Sequence, residues 1–381
     1  MKGHRSCLVT RAGTVAAALA LFACSDTTGS AGDPSNPGGA GDLGGSDGGQ
    51  PVIAGLHATQ ADGRYFPASA PFYKDVSSAP LAADSSAITQ WMVQHAPPNG
   101  WGSGRMRVDF SIAAVNVPAG TAKRPYQIVT GDYYMPDCDR ASVPLPAGGV
   151  VEDDPSPPRT SPFSGYACSR FSTGADCHIL LVARGERRLY EMYRATVEGG
   201  TTFRAGCLAI WDLGMTDVNG RGQQCTSADA AGFPIAALLF TADEIKAGRI
   251  DHAIRFILPN DMIRAKKYVM PATHGTNTTG PLTSGPYGFR MRLKASYPIA
   301  TLSPAAQVVA RALQQYGMLM SDGGTLALTA QSDTLSSTKW ADVGFDADSL
   351  AALKATDFEV VDSGTPIDVT YDCRRQAIIE P

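Results

Sequence analysis

The sequence predicts a mainly β protein: an antiparallel β-sandwich or jelly-roll-like arrangement in a single large domain with a few peripheral helices. Three observations predict it. Charged residues are only 18% of the 381, while glycine (40) and proline (26) are abundant. Low charge with many turn formers suits a loop-rich β fold better than a helical bundle. In the middle of the chain, short apolar runs are divided by the glycine-containing turns "RGE" and "VEGG", the text of a β meander. The stretch after residue 52, roughly 330 residues, is long enough to bury the core of one large β domain or two smaller ones.

The elements follow in chain order. Lys2, Arg5 and Arg11 precede an apolar run from Thr14 to Ala23 that stops at Cys24. A basic start and a short apolar stretch make residues 1–23 a secretory signal, too short to span a bilayer as a helix. The ending Leu21-Phe22-Ala23-Cys24 resembles the lipobox of bacterial lipoproteins, a family in which the cysteine is diacylated and becomes the new N-terminus. The resemblance implies lipidation at Cys24, so that the membrane is met only through a lipid anchor. Ordinary cleavage with Cys24 merely nearby is the alternative. Residues 24–52, rich in glycine and serine, bury too little apolar surface to fold and read as a flexible tether. Residues 53–381 then form the β-rich domain.

Within that domain, Pro71–Gln94 reads as a loop followed by a short helix, and Met106–Val115 and Tyr126–Tyr134 read as strands. Residues 141–166 are dominated by proline, glycine and serine, a long surface loop of the kind that often carries function. His178–Ala183, Arg188–Ala195 and Thr202–Leu213 form the meander. Thr241 caps a short helix over 241–249, Glu244 completes a capping box and Gly248 ends it. Ile250–Pro259 and Tyr287–Tyr297 are further strands. Pro304–Tyr316 is an amphipathic helix, broken by Gly317 before a hairpin over 318–330.

Cysteine usage agrees with export. Outside the leader the chain has Cys138, Cys168, Cys177, Cys207, Cys225 and Cys373, an even number that reads as disulfides in an exported protein. Proximity in the chain favours Cys168–Cys177 and Cys207–Cys225, leaving Cys138–Cys373 to tie down the tail. No CxxC pair supports zinc as the competing reading. The net charge of −4 lacks the basic footprint that nucleic acid requires. Outside the cytoplasm, neither ATP nor reduced nicotinamide is at hand, and no cofactor is expected.

Ionisable groups on apolar strand faces need partners, because burying them alone is costly. Period-two alternation places Asp176 and His178 beside Leu180 and Val182, Glu191 between Leu189 and Tyr193, and His252 beside Ile254, Phe256 and Leu258. With Asp229, in the loop "CTSADAAGFP", they are the candidate catalytic residues of a polar cleft. The alternative for each is a hydrogen-bonded structural role. Tyr190, Tyr193 and Trp211 are candidates to stack on sugars, and His274, in a loop of small residues, to approach a ligand. Arg290, Arg292 and Lys294 share one strand face and could neutralise an acidic polymer, or form a solvated outer face. Ser227 has no GxSxG elbow to support a serine hydrolase. His178, His252, His274 and Glu191 are a possible divalent-metal set without short ligand spacing.

The runs "LYEMYRA", "TSADAAGFPI", "RIDHAIRF", "ATH", "RMRLKASY", "ALQQYGMLMSDGG" and "DFEVVD" are similar to a group of secreted bacterial proteins to which no activity is attached. The resemblance covers most of residues 70–362 and implies one domain, with no catalytic assignment. Together these readings lead to an expected function: cleavage of glycosidic bonds in an extracellular polysaccharide. Asp176 and Glu191 would be the acid and the base or nucleophile, with His178 and His252 setting protonation. The alternatives are a uronate lyase with His178 as base and arginine neutralisers, and a non-catalytic glycan-binding or structural lipoprotein.

Overall fold

The computed structural model describes residues 55–96, 99–101, 104–153, 161–216, 220–325 and 327–381. The leader, Cys24 and the whole of the 24–52 tether lie outside the described residues. Ten strands form the two main sheets. They are β1 (Val108–Ile112), β2 (Ala114–Asn116), β3 (Ile179–Ala183), β4 (Arg188–Tyr193), β5 (Cys207–Asp212), β6 (Ile254–Leu258), β7 (Arg290–Leu293), β8 (Met318–Gly323), β9 (Leu328–Gln331) and β10 (Phe358–Val361). The larger sheet has the order β1-β9-β6-β8-β7-β10, the smaller β5-β4-β3-β2. Helices α1 (Ser85–His95), α2 (Ala242–Ala247) and α3 (Pro304–Gln315) lie outside the sheets. The chain is mainly β, in one domain.

The pairings are mixed. β1 with β9, β6 with β8 and β2 with β3 run parallel, alongside antiparallel β3–β4, β4–β5, β7–β8 and β7–β10. A parallel neighbour needs a crossover, and the segment between β6 and β8 supplies one that includes α3. The hairpin expected over 318–330 does not form, because β6 lies between β8 and β9. Met318, Leu319 and Met320 are all fully buried. A run apolar on both faces belongs inside a sheet. The meander holds for β3, β4 and β5, but the chain leaves between β4 and β5 to build a separate ladder from Thr196–Glu198 and Thr202–Ala205.

The smaller sheet is buried on both faces. Leu180, Val182, Leu189, Ala209 and Trp211 join the main core with Phe256, Phe289 and Met320. Ile179, Leu181, Tyr190, Met192, Leu208 and Ile210 form a second core on the opposite face. Each buried leucine, isoleucine, valine, methionine or phenylalanine here contributes about 1.5–3 kcal/mol of transfer free energy. Local signals behave as expected at α2, where Thr241 and Glu244 make the capping box and Gly248 takes the left-handed conformation. The loop expected over 141–166 is in part internal, with Val143, Leu145, Val150, Val151 and Tyr166 all buried.

Three disulfides are present: Cys138–Cys207, Cys168–Cys177 and Cys225–Cys373. Bonds of this kind persist in oxidising, extracellular-type compartments. Only Cys168–Cys177 follows proximity in the chain. Cys207 pairs with Cys138 because the chain after Cys138 comes alongside β5, where the Asp139 N–H donates to the Leu208 carbonyl at 2.7 Å. Cys225 takes Cys373 because the tail runs past Gln224, whose Oε1 accepts the Thr370 N–H at 2.8 Å. No helix of the described residues is long and apolar enough to cross a membrane. The Cys225–Cys373 bridge closes a separation of 148 residues. Replacing both cysteines with serine is expected to cost about 2–5 kcal/mol, read as a lower midpoint in denaturant unfolding with a steeper slope, because the uncrosslinked chain exposes more surface when unfolded.

Candidate functional site

Segments distant in sequence meet around a cleft of about 680 Å³. Its walls carry Tyr133, Tyr134 and Asp137 from the segment before Cys138, Asp176 from before β3, and Tyr193 from the end of β4. The 226–230 loop, His274 to Asn277, Asp322 on β8 and Tyr371 on the tail complete it. The three disulfides of the described residues border it: Cys207 lines the cleft, and Cys138, Cys177, Cys225 and Cys373 lie within two residues of lining groups. The 226–230 loop packs tightly because Gly232 has a positive φ of 79° and a Cβ there would meet the Thr273 Oγ1 at 2.1 Å.

A buried arginine, Arg255 on β6, organises the floor. Its Nε donates to the Asp229 Oδ1 at 2.9 Å, its Nη1 to the Thr329 Oγ1 at 2.9 Å and its Nη2 to the Asp322 Oδ2 at 3.2 Å. The Asp229 side chain is fully buried and that of Asp322 is 26% exposed. Burial pushes the Asp229 carboxyl up to about 7, with the Asp322 charge adding to the rise and Arg255 opposing it. Burial also raises Asp322, again against Arg255 and with help from Asp176. Asp229 Oδ2 is buried without a hydrogen-bond partner.

Four of the sequence candidates reach this cleft: Asp176, Asp229, Tyr193 and His274. Asp176 does so for a different reason from the one expected. The positive φ of 47° at Cys177 breaks the alternation, so Asp176 leaves the strand face and is exposed on the cleft wall. His274 Nδ1 lies 2.8 Å from the Ala230 carbonyl oxygen. A carbonyl only accepts, so Nδ1 carries the proton, and burial holds the imidazole below its usual value. Nε2 of the neutral ring is then an acceptor.

The other candidates lie elsewhere. His178 is buried, its Nδ1 2.7 Å from the Glu152 Oε2 and its Nε2 3.0 Å from the Ala228 carbonyl oxygen. Both nitrogens face acceptors, so the ring is an imidazolium, raised to about 9 by Glu152 against its burial. It holds the 226–230 loop from behind. Glu191 is fully buried and accepts from Trp211 Nε1 at 3.0 Å and from the Ile235 and Ala236 N–H groups at 3.1 and 2.8 Å. Burial pushes it up to about 7 against these three donors. It braces the main core and cannot act on a substrate in the cleft. Trp211 is buried as its partner, and Tyr190 is buried with its hydroxyl donated to Glu186 at 2.8 Å. His252 pairs with Glu244 at 3.1 Å and with the Ala253 carbonyl oxygen at 2.7 Å, at a separate small pocket with Gln60 and Arg64.

The cations on β7 are structural as well. Arg290 donates to the Pro71 carbonyl at 2.8 Å, Arg292 to Glu359 at 2.6 Å and to the Val76 and Ala79 carbonyls, and Lys294 to the Thr356 carbonyl at 2.6 Å. The 71–79 segment covers the face read as solvated, leaving Arg290 and Arg292 buried. A uronate bound in the cleft would therefore find none of its expected neutralisers. Ser227 donates its hydroxyl to the Phe233 carbonyl at 2.8 Å and makes no nucleophile–base pair. Among the described residues, no three His, Cys, Asp or Glu side chains converge to hold a metal ion.

Sequence reasoning missed Arg255, Asp322 and Glu152. A lone arginine inside Ile254–Leu258 is a visible signal of a buried charge needing carboxylates. Asp322, in "SDGG", reads as a turn. Glu152 sits in what reads as a surface loop. Comparison with family models, with curated proteins and with solved structures gives no match, so function has to be read from the cleft itself.

The His178–Glu152 pair makes stability depend on pH with a definite sign. His178 rises from 6.5 to about 9, so its contribution is complete below pH 6.5 and is lost as pH rises through 9. Glu152 falls from 4.5 to about 2, so its contribution is complete above pH 4.5 and is lost as pH falls through 2. Asp229 and Glu191 lose theirs earlier, as pH rises from about 4 to 7. The decline in thermal midpoint between pH 7 and 9 is therefore expected to flatten in His178→Gln, and an unchanged slope in that interval would contradict the assignment.

Proposed function

We propose that this protein is an exported enzyme that hydrolyses glycosidic bonds of an extracellular polysaccharide, with Asp322 as general acid and Asp176 as base or nucleophile. The observation that carries this is the pairing of two unlike carboxyls on one cleft. Asp322 has its proton affinity raised and is partly exposed. Asp176 is exposed, and no ion pair to it is found among the described residues. Glycoside hydrolysis needs such a pair, one carboxyl to protonate the leaving oxygen and one to activate water or attack the anomeric carbon.

Arg255 and Asp229 act as positioning residues. The guanidinium orients the Asp322 carboxyl and is shared with Asp229, while burial, helped by Asp176, keeps the Asp322 proton affinity raised against it. Tyr133, Tyr134, Tyr193 and Tyr371 supply ring faces on which sugars stack. His274 Nε2 offers an acceptor for a sugar hydroxyl.

The address belongs to the same proposal. Export with lipidation at Cys24 would hold the domain at the cell envelope on the 24–52 tether, and the three disulfides agree with that compartment. Cys24→Ala is expected to move the protein from the membrane fraction to the soluble exported fraction and to abolish metabolic labelling with palmitate. Persistence of both would remove the anchor from the reading.

A panel of polysaccharides, followed by the release of reducing ends, tests the chemistry. Asp322→Asn and Asp176→Asn are each expected to lower kcat by about 10²–10⁴-fold, Asp176→Asn with little change in thermal midpoint and Asp322→Asn with a lower one, because it removes a counter-charge of the buried Arg255. Glu191→Gln is expected to do the reverse of Asp176→Asn, costing about 1–3 kcal/mol of stability by mismatching its N–H donors. Full turnover in both aspartate variants, or no new reducing ends from any member of the panel, would sink the hydrolase reading.

A further inference from the structure

We infer that the glycan this cleft takes carries protonated amines, as a polymer of de-N-acetylated hexosamine does. The inference rests on the glycosidase reading for its polymer and adds the charge of the sugar. Four of the lining residues are aspartates (Asp137, Asp176, Asp229 and Asp322), and among the described residues no lysine or arginine lines the cleft. Arg255, beneath the floor, is shared between two of them. Arg221 and Arg375, behind Asp137, converge on Asp139 and on the Asp137 carbonyl oxygen. Arg194 is paired with Asp132. These cations lie behind the walls and floor, so the carboxyls of the described lining, two of them (Asp229 and Asp322) with raised proton affinity, face the cleft without a cation beside them there.

A second observation points to a missing donor. Asp229 is 99% buried, since only 1% of it is exposed, yet its Oδ2 has no hydrogen-bond partner on the cleft floor. An unmatched buried carboxyl oxygen is costly, and a ligand N–H or ammonium entering the floor would satisfy it. Asp137 uses Oδ1 to accept the Thr226 N–H at 2.8 Å, which fixes its carboxylate on the wall. Tyr134 and Tyr371 stand at the rim, each 49% exposed. Exposed tyrosine rings attract cations over their faces and also stack on sugar rings. A bare divalent cation fits less well, because no three carboxylates converge among the described residues. A uronate would meet repulsion.

Two oligosaccharides of one backbone and length test this, one fully N-acetylated and one fully de-N-acetylated. The wild-type protein is expected to show a KM about tenfold or more lower on the amine form, as one charge-assisted contact provides. Added salt should erase much of that gap. Asp137→Asn is expected to narrow the ratio between the two KM values. Calorimetric titration of the wild-type protein with both oligomers gives the same comparison without a variant. Equal KM and equal affinity for the two forms would overturn the inference while leaving the hydrolase reading intact. Tighter binding of the amine form without cleavage of either would support it while removing that reading. Equal competition by an oligolysine of matched charge would overturn the sugar assignment.

Discussion

The Arg255 guanidinium is the constraint on which the rest of the cleft depends. It is a full positive charge on an interior strand between apolar neighbours, and it survives there only because all three of its nitrogens are matched. Its partners come from three places in the chain: the 226–230 loop, β8 and β9. Matching the charge therefore also sets where these segments stand. The loop must approach β6 closely enough to deliver Asp229, and β8 must end where Asp322 reaches the same guanidinium. Once the charge is satisfied, the floor of the cleft is built.

Around that floor the walls are secured from outside. The imidazolium of His178 grips the Ala228 carbonyl, with Glu152 supplying the counter-charge. Glu191 ties β4 to β5 through Trp211 and to the 235–238 turn through two backbone N–H groups. The disulfides fasten the irregular segments, which have few ladder hydrogen bonds of their own, beside the lining residues. The smaller sheet, apolar on both faces, is rigid support for all of this. Acidic walls, aromatic rims and a fixed backbone leave this cleft little to reorganise.

How far this was legible in the sequence varies by residue and has physical causes. Thr241, Glu244 and Gly248 announce α2 because a helix cap is decided within a few residues. Asp176, Asp229, Tyr193 and His274 stand out locally and do reach the cleft. Glu191 and His178 stand out for a real reason, their burial, but burial of a charge signals a partner and does not say whether that partner is a substrate. Arg290 and Arg292 look like an open cationic face until the 71–79 segment is seen to lie over it and accept from both guanidinium groups. Asp322 and Glu152 look like turn and loop residues because their roles depend on what lies opposite them.

By itself the sequence determined the mainly β class, the local caps, the apolar runs that must be covered and the cysteines that would be oxidised. These follow from composition and from periodicities of a few residues, which act over short distances along the chain. Tertiary structure decided which strands are neighbours, which cysteines pair and which carboxyls share a guanidinium. Each of those is a contact between residues far apart in the chain. Alternation tells a side chain which face to take but not what stands opposite, and opposite Arg255 stand Asp229 and Asp322.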